Sequence, residues 1–295
     1  MLRSNAARLQ LVLAAALFST GGAAIKAASL TGYQVAGFRS GIAALTLFLL
    51  LPAARRGYTW RSMAVGVTYA ATLLLFVLAN KLTTSANTIY LQSTAPLYIL
   101  LLAPLLLKEP IRLKDLWFMV AIAVGMVLFF VTRQVPLATA PDPRTGNILA
   151  ALTGLTYALT VMGLRWLARG PERGSQMAAM VTGNALVFLL VLPAALPVSG
   201  ASLVDWGVVT YLGVVQIGVA YMFLAKGIEG VPAFEASLLL LVEPALNPVW
   251  AWMVLGEQPS AWAIVGAVII FGATTIRTWM EARSARVLAR VAPAP

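Results

Sequence analysis

No cysteine and no histidine occurs in the chain, and only 11% of its residues are charged. The first absence removes any disulfide framework, and the two together remove Cys/His zinc sites. A histidine general base is excluded as well, so a serine protease of that kind has no base. Neither HExxH nor the phosphate-cradling GxxxxGK[ST] is present, which excludes zinc proteolysis of that type and a Walker-type ATP motor within this chain. Asp115, Asp142 and Asp205 each fall near the end of an apolar segment, so no intramembrane aspartate pair is expected. The expectation is no enzyme, no cofactor and no metal.

What the chain does have is apolar surface. Sixty per cent of its 295 residues are hydrophobic, and its mean hydropathy is +0.87. A soluble domain of this size does not need that much, whereas a polytopic membrane protein does. At roughly 20 residues per crossing, ten spans are predicted, the first five being Leu9–Ala28, Gly32–Ala53, Ser62–Lys81, Ala86–Leu107 and Leu113–Thr132. The second five are Asn147–Leu167, Gln176–Leu196, Val204–Ala225, Pro232–Leu255 and Trp262–Met280. The first follows Arg3 and Arg8 as a signal peptide would, but its length and the lack of a small-residue cleavage site make it a span.

The net charge of +11 does not imply nucleic acid, because the basic residues lie between apolar runs and form no single patch. They mark topology instead. Arg3 and Arg8, Arg55 to Arg61, Lys108 to Lys114, Arg165 to Arg173, Lys226 and the tail from Arg277 all fall on one side. The positive-inside rule makes that side cytoplasmic and puts both termini there, in a cytoplasmic (inner) membrane. Trp60, Trp117, Trp166, Trp206, Trp262 and Trp279 sit at the predicted interfaces, as amphipathic rings do.

An internal repeat sets the architecture. Pro96 and Glu109 in the fourth span have the same spacing as Pro244 and Glu257 in the ninth, and on that register Asn87 matches Glu235. Five spans per half is an odd number, so the halves enter the membrane in opposite orientation. Inverted repeats with a midplane site at their interface are a hallmark of secondary transporters. The expected fold is all-α and polytopic, with ten helices as two inverted five-helix repeats around a central cavity. Its parts are a first repeat over 1–135, a linker over 136–145, a second repeat over 146–283 and a basic cytoplasmic tail over 284–295.

Several stretches carry a family resemblance: FSTGGAAIKAA from Phe18, GFRSG from Gly37, TTSANTIYLQSTAPLYILLLAPLLLKE from Thr83, Leu152 to Trp166, and VPAFEASLLLLVEPALNPVWAWMVLGE from Val231. With these, the whole chain resembles the EamA-like family of the drug/metabolite transporter superfamily. Phe18 departs mildly from it, since the family usually has tryptophan there. The resemblance implies two inverted five-helix halves and the movement of small metabolites, often outward: amino acids, their derivatives or drugs.

Candidate site residues follow from the cost of polar groups in a bilayer. Glu243 lies inside the ninth span just before Pro244, and an acid at that depth faces a cavity or a partner. It is expected to exchange a proton or to pair with a substrate ammonium, the plainer alternative being a structural bond to another helix. Glu235 is either an entry relay or half of a surface pair with Lys226. Arg39, between Gly37 and Gly41, needs carbonyls, a carboxylate or water. Lys26 lies near the outer end of the first span, where it can snorkel to the interface. Asn87, Tyr90 and Thr94 recur on one helical face, and Glu243, Asn247 and Trp250 on another. With Thr20, Tyr69, Tyr157, Gln216 and Tyr221 they would suit a mixed aromatic and hydroxyl cavity, though for any single tyrosine bundle packing is the simpler role. The partners implied are a small-molecule substrate, the bilayer and protons. An equilibrative exchanger stays open within the class, and a channel or membrane scaffold outside it.

Overall fold

The computed structural model describes residues 2–106, 113–131, 136–170, 172, 174–230, 236 and 239–291. Glu109 and Glu235 lie outside the described residues. Within them the regular secondary structure is helical, apart from one isolated bridge between Leu137 and Ala140. The helices are α1 (Leu2–Ser19), α2 (Gly21–Ala27), α3 (Gly32–Leu50), α4 (Trp60–Leu82), α5 (Ser85–Gln92), α6 (Ala95–Leu106) and α7 (Leu113–Val131). After these come α8 (Pro143–Ala168), α9 (Ser175–Ala195), α10 (Leu203–Tyr211), a π-helical stretch (Leu212–Val219), α11 (Ala220–Glu229), α12 (Val242–Leu255) and α13 (Ala261–Val291).

Six stretches are long and apolar enough to cross a membrane: Asn5–Ala27, Gly32–Leu50, Trp60–Leu82, Pro143–Ala168, Ser175–Ala195 and Leu203–Gly227. Asp115–Val131 and Ala261–Arg277 are shorter apolar helices. Among the described residues the ninth expected span breaks at Leu241, and the first and fourth are interrupted as well. In the first, the Thr20 hydroxyl turns back on the Leu17 carbonyl at 2.8 Å, and Gly21 and Gly22 follow. In the fourth, Ser93 and Thr94 donate to Ile89 and Leu91, and Pro96 has no N–H with which to continue the ladder. Hydroxyls that compete for backbone carbonyls weaken a helix locally, and here they do so where a proline or glycines already have.

Side-chain caps fix several helix ends. Thr31 with Gln34, Thr59 with Ser62, and Ser202 with Asp205 form reciprocal capping boxes. Asp142 accepts from the Thr145 N–H, and hydrogen bonding from the Thr145 side chain first and its N–H second holds the carboxyl below the usual range. Packing then assembles the bundle: α4 lies on α8 and α9, α3 on α9, α1 on α11 and α12, α5 on α8, and α7 on α13. Gly125 and Gly266 let α7 and α13 touch backbone to backbone, since a Cβ on Gly266 would lie 2.6 Å from the Gly125 carbonyl. The same two helices share the Asp115–Arg277 ion pair at 3.2 Å. Leu45, Leu49, Val120, Leu190, Trp252 and Val268 point outward, as lipid-facing side chains must.

Candidate functional site

The face presented by each helix decides what its polar residues see. On α8, Ile148 and Leu152 are exposed on the outer stripe. Tyr157 comes nine residues after Ile148, which at 3.6 residues per turn brings it to the opposite face. It is nevertheless 40% exposed. By the helical period that surface faces away from the outer stripe, toward the interior of the bundle. On α12, Val249, Trp252 and Met253 face outward, while Glu243, Asn247 and Trp250, at i, i+4 and i+7, share the inner face.

Around this interior the structure gathers a tyrosine cluster. The Tyr69 hydroxyl donates to that of Tyr221 at 3.1 Å, and their rings meet edge-on at 6.4 Å. Phe18 packs edge-on against Tyr221 at 5.1 Å. Glu243 is half-buried and lies within electrostatic reach of Tyr157 and Tyr221. Among the described residues it has no cationic partner within 4.0 Å.

Arg39 approaches the cluster from α3, within electrostatic reach of Tyr69 and Tyr221. It is 2% exposed. Its Nη2 makes one long donation, 3.5 Å, to the Leu73 carbonyl, and its Nε has no partner. Gly37 and Gly41 flank it and admit α9, because a Cβ on either would sit 2.8 Å from Val191 or Phe188.

At the end of the bundle that carries Lys26, the polar groups are paired. Lys26 does not snorkel. Its Nζ lies 2.7 Å from Glu257 Oε1, both side chains are buried, and it also donates to the Thr139 carbonyl. Glu257 Oε2 accepts from the Ser85 N–H at 2.9 Å, so one carboxylate ties α2 to the start of α5. Gly256, in the left-handed region at φ +67°, ends α12 and turns the chain so that Glu257 points inward. Lys81 donates to Ala28 O, and Asp205 accepts from both the N–H and the hydroxyl of Ser29. Spacing singled out Glu257 as a motif residue. Its partner could not be read from the sequence, because Lys26 lies in the other half.

The remaining candidates occupy different places. Asn87 is buried and donates to Thr83 and Asn147, away from the tyrosines. Tyr90 packs on Phe129 and Phe271, and Thr94 donates to Leu91 O. Thr20 meets the Tyr211 hydroxyl at 2.8 Å, Gln216 donates to Phe18 O, and Trp250 donates to Ser19 at 2.8 Å. Pro96 and Pro244 begin α6 and α12. Asn247 is buried with neither amide atom bonded. It abuts Gly22, where a Cβ would fall 3.0 Å from both amide atoms and closer still to Ser85 Oγ. Gly22→Ala should therefore destabilise by about 1–3 kcal/mol, the usual cost of overpacking. A thermal midpoint equal to that of wild type would show that α2 and α12 can separate freely there.

The chain is similar to known membrane transporters. A curated relative, the pseudopaline exporter CntI of Pseudomonas aeruginosa, is 25% identical over 274 residues, 88% of this chain and 91% of its own. The uncharacterized transporter YyaM of Bacillus subtilis is 21% identical over 199 residues, 66% of this chain and 65% of its own. A solved crystal structure shares the fold at a TM-score of 0.62 and 19% identity, covering 94% of this chain and 98% of that one. The profile of the EamA-like transporter family matches residues 6–131 and 144–279. The chain is a multi-pass membrane protein and belongs to the EamA-like transporter family.

Proposed function

We propose that this protein is a secondary active exporter of small organic metabolites, working by alternating access across the cytoplasmic membrane with both termini in the cytoplasm. The observation that carries this reading is Glu243, an acid on the inner face of α12 with no cationic partner within 4.0 Å among the described residues, within electrostatic reach of the half-exposed Tyr157. A carboxylate kept at that depth without a structural bond is a functional group by default. The relative named as a pseudopaline exporter is consistent with outward transport of a metabolite.

The ten-span inverted arrangement belongs to the same proposal. A half-turn in the membrane plane exchanges residues 1–135 with 146–283. It turns the packing of α4 on α8 into that of α11 on α1, and α5 on α8 into α12 on α1. It also returns α3 on α9 and α7 on α13 to themselves. The two separate family matches support the same division. Uphill movement then draws on an ion or substrate gradient, with Glu243 as the coupling or cation-binding group.

The test is counterflow. A thermal-shift screen of metabolites on the purified protein identifies a binder, since a ligand at a hundredfold excess over Kd adds about 2.7 kcal/mol of stability. Labelled binder should then enter proteoliposomes faster when they are preloaded with unlabelled binder. Flux that neither saturates nor responds to preloading would mark a channel. Exchange without uphill movement under any imposed gradient would mark an equilibrative carrier.

A further inference from the structure

We propose that an anionic glycerophospholipid binds on the outside of the bundle, at the seam of α4 and α8. Arg61, set against the indoles of Trp60 and Trp166, receives its phosphate, and Met63 and Val67 carry its acyl chain. The site lies apart from the interior one and does not depend on what the protein transports.

The seam is built by two antiparallel helices. α8 begins beside the end of α4, where the Asp142 N–H meets the Leu82 carbonyl, and returns along it, so that Trp166 comes level with Trp60. Trp166 follows Ile148 by five full turns at 3.6 residues per turn, which puts it on the outer stripe of α8. The two indoles meet edge-on at 5.6 Å. The guanidinium carbon of Arg61 lies 5.7 Å from the centre of the Trp60 ring and 5.0 Å from that of Trp166. Such contacts hold a cation against aromatic rings without using its N–H donors. Those donors lie in the guanidinium plane as a rigid fork. Among the described residues Arg61 makes no hydrogen bond and has no carboxylate within 4.0 Å. Snorkelling alone would bring the charge to the interface without two ring contacts.

Tryptophan collects at the level of the lipid headgroups, so the free donors stand where lipid phosphates are. The surface below them suits a chain. Trp60, Met63 and Val67 are exposed at i, i+3 and i+7, an apolar strip that leads from Arg61 along the span. The surrounding charge is positive: Arg56, Arg165 and Arg169 are exposed at the same end, and none has a carboxylate within 4.0 Å among the described residues. Basic clusters beside membrane helices attract anionic lipid. A zwitterionic headgroup offers the same phosphate together with a cation that these arginines repel. The fork of Arg61 adds a paired fit to two phosphate oxygens. Because α4 and α8 lie in the two separate stretches of the family match, one bound lipid bridges both, at the end opposite to Lys26 and Glu257.

The experiment follows thermal unfolding of the full-length protein in uncharged detergent, titrated with dioleoylphosphatidylglycerol or with dioleoylphosphatidylcholine. The half-saturating mole fraction should be lower for phosphatidylglycerol by about tenfold or more, a difference of ~1.4 kcal/mol. Arg61→Gln should bring the two lipids to parity. Arg169→Gln removes an equal charge from the same end and leaves both ring contacts in place, so it should keep more than half of the wild-type ratio. If Arg61→Gln does not fold, Arg61→Lys carries the test. It keeps the charge and loses the fork, and the ratio should fall to less than half. Three results overturn the inference: a wild type that responds to both lipids alike, a ratio that survives the substitution at Arg61, or an equal loss in Arg169→Gln, the last marking diffuse attraction to a basic surface. Glycerol 3-phosphate supplies the headgroup phosphate without a chain. Stabilisation by it equal to that by the lipid at the same total concentration would mark a free-phosphate site and overturn the lipid assignment.

Discussion

Lys26→Met should lower the unfolding free energy by about 3–5 kcal/mol, the cost of stranding one charge of a buried pair. Glu257 is buried, and without Lys26 the Ser85 N–H alone among these contacts would meet its carboxyl group. The double variant Lys26→Met/Glu257→Gln should recover most of the loss. Glutamine keeps an oxygen for Ser85, methionine keeps the length of lysine, and no charge remains to be solvated. Thermal and denaturant unfolding of the purified proteins measures all three. Losses that simply add in the double variant would mean that the two side chains do not act as a pair. The size of the effect matters for transport, because the same contacts close one end of the bundle: α2, α5 and the end of α12 meet there through Lys26, Ser85 and Glu257.

Glu243→Gln is the substitution with the largest expected effect on function. The amide keeps the shape of the carboxylate and removes its charge and its proton exchange. No described hydrogen bond or ion pair is lost, because Glu243 makes none. The variant should therefore fold with a thermal midpoint at or above that of wild type, since an unpaired carboxylate partly removed from water opposes folding. It should lose uphill transport, together with any dependence of substrate binding on pH. A folded Glu243→Gln that transports uphill with wild-type pH dependence would reduce Glu243 to a structural residue.

Much of this architecture was legible in the sequence for a physical reason. A bilayer requires long apolar helices and tolerates few charges, so the membrane-spanning, all-helical character is written in composition. The exceptional charges Arg39 and Glu243 could be found because each costs energy where it stands, and Glu257 through its spacing from Pro244. What composition does not encode is which exception meets which. Lys26 looked like a residue reaching for the interface, yet it is the partner of Glu257, more than two hundred residues away in the other half. Asn87 and Tyr90 shared a helical face and were grouped with the cavity. In the structure that face is divided, Asn87 bonding to Asn147 and Tyr90 packing on Phe129. Helical period fixes the direction of a side chain, whereas its neighbour depends on crossing geometry that no single segment contains. The breaks at Thr20 and Ser93 interrupt spans expected to be continuous, because they depend on hydroxyl-to-carbonyl bonds formed only in the folded helix.

Alternating access is the central claim, and two-sided thiol labelling tests it most directly. The chain has no cysteine, so Tyr157→Cys introduces a single reactive group at a position exposed to the interior. With Lys26 and Glu257 intact, a membrane-impermeant maleimide should label it from the side that carries Arg61 and not from the side that carries Lys26. In the Lys26→Met/Glu257→Gln background it should become reactive from the Lys26 side. Equal labelling from both sides in both backgrounds, as an open pore would give, or no labelling from either side, would contradict the account.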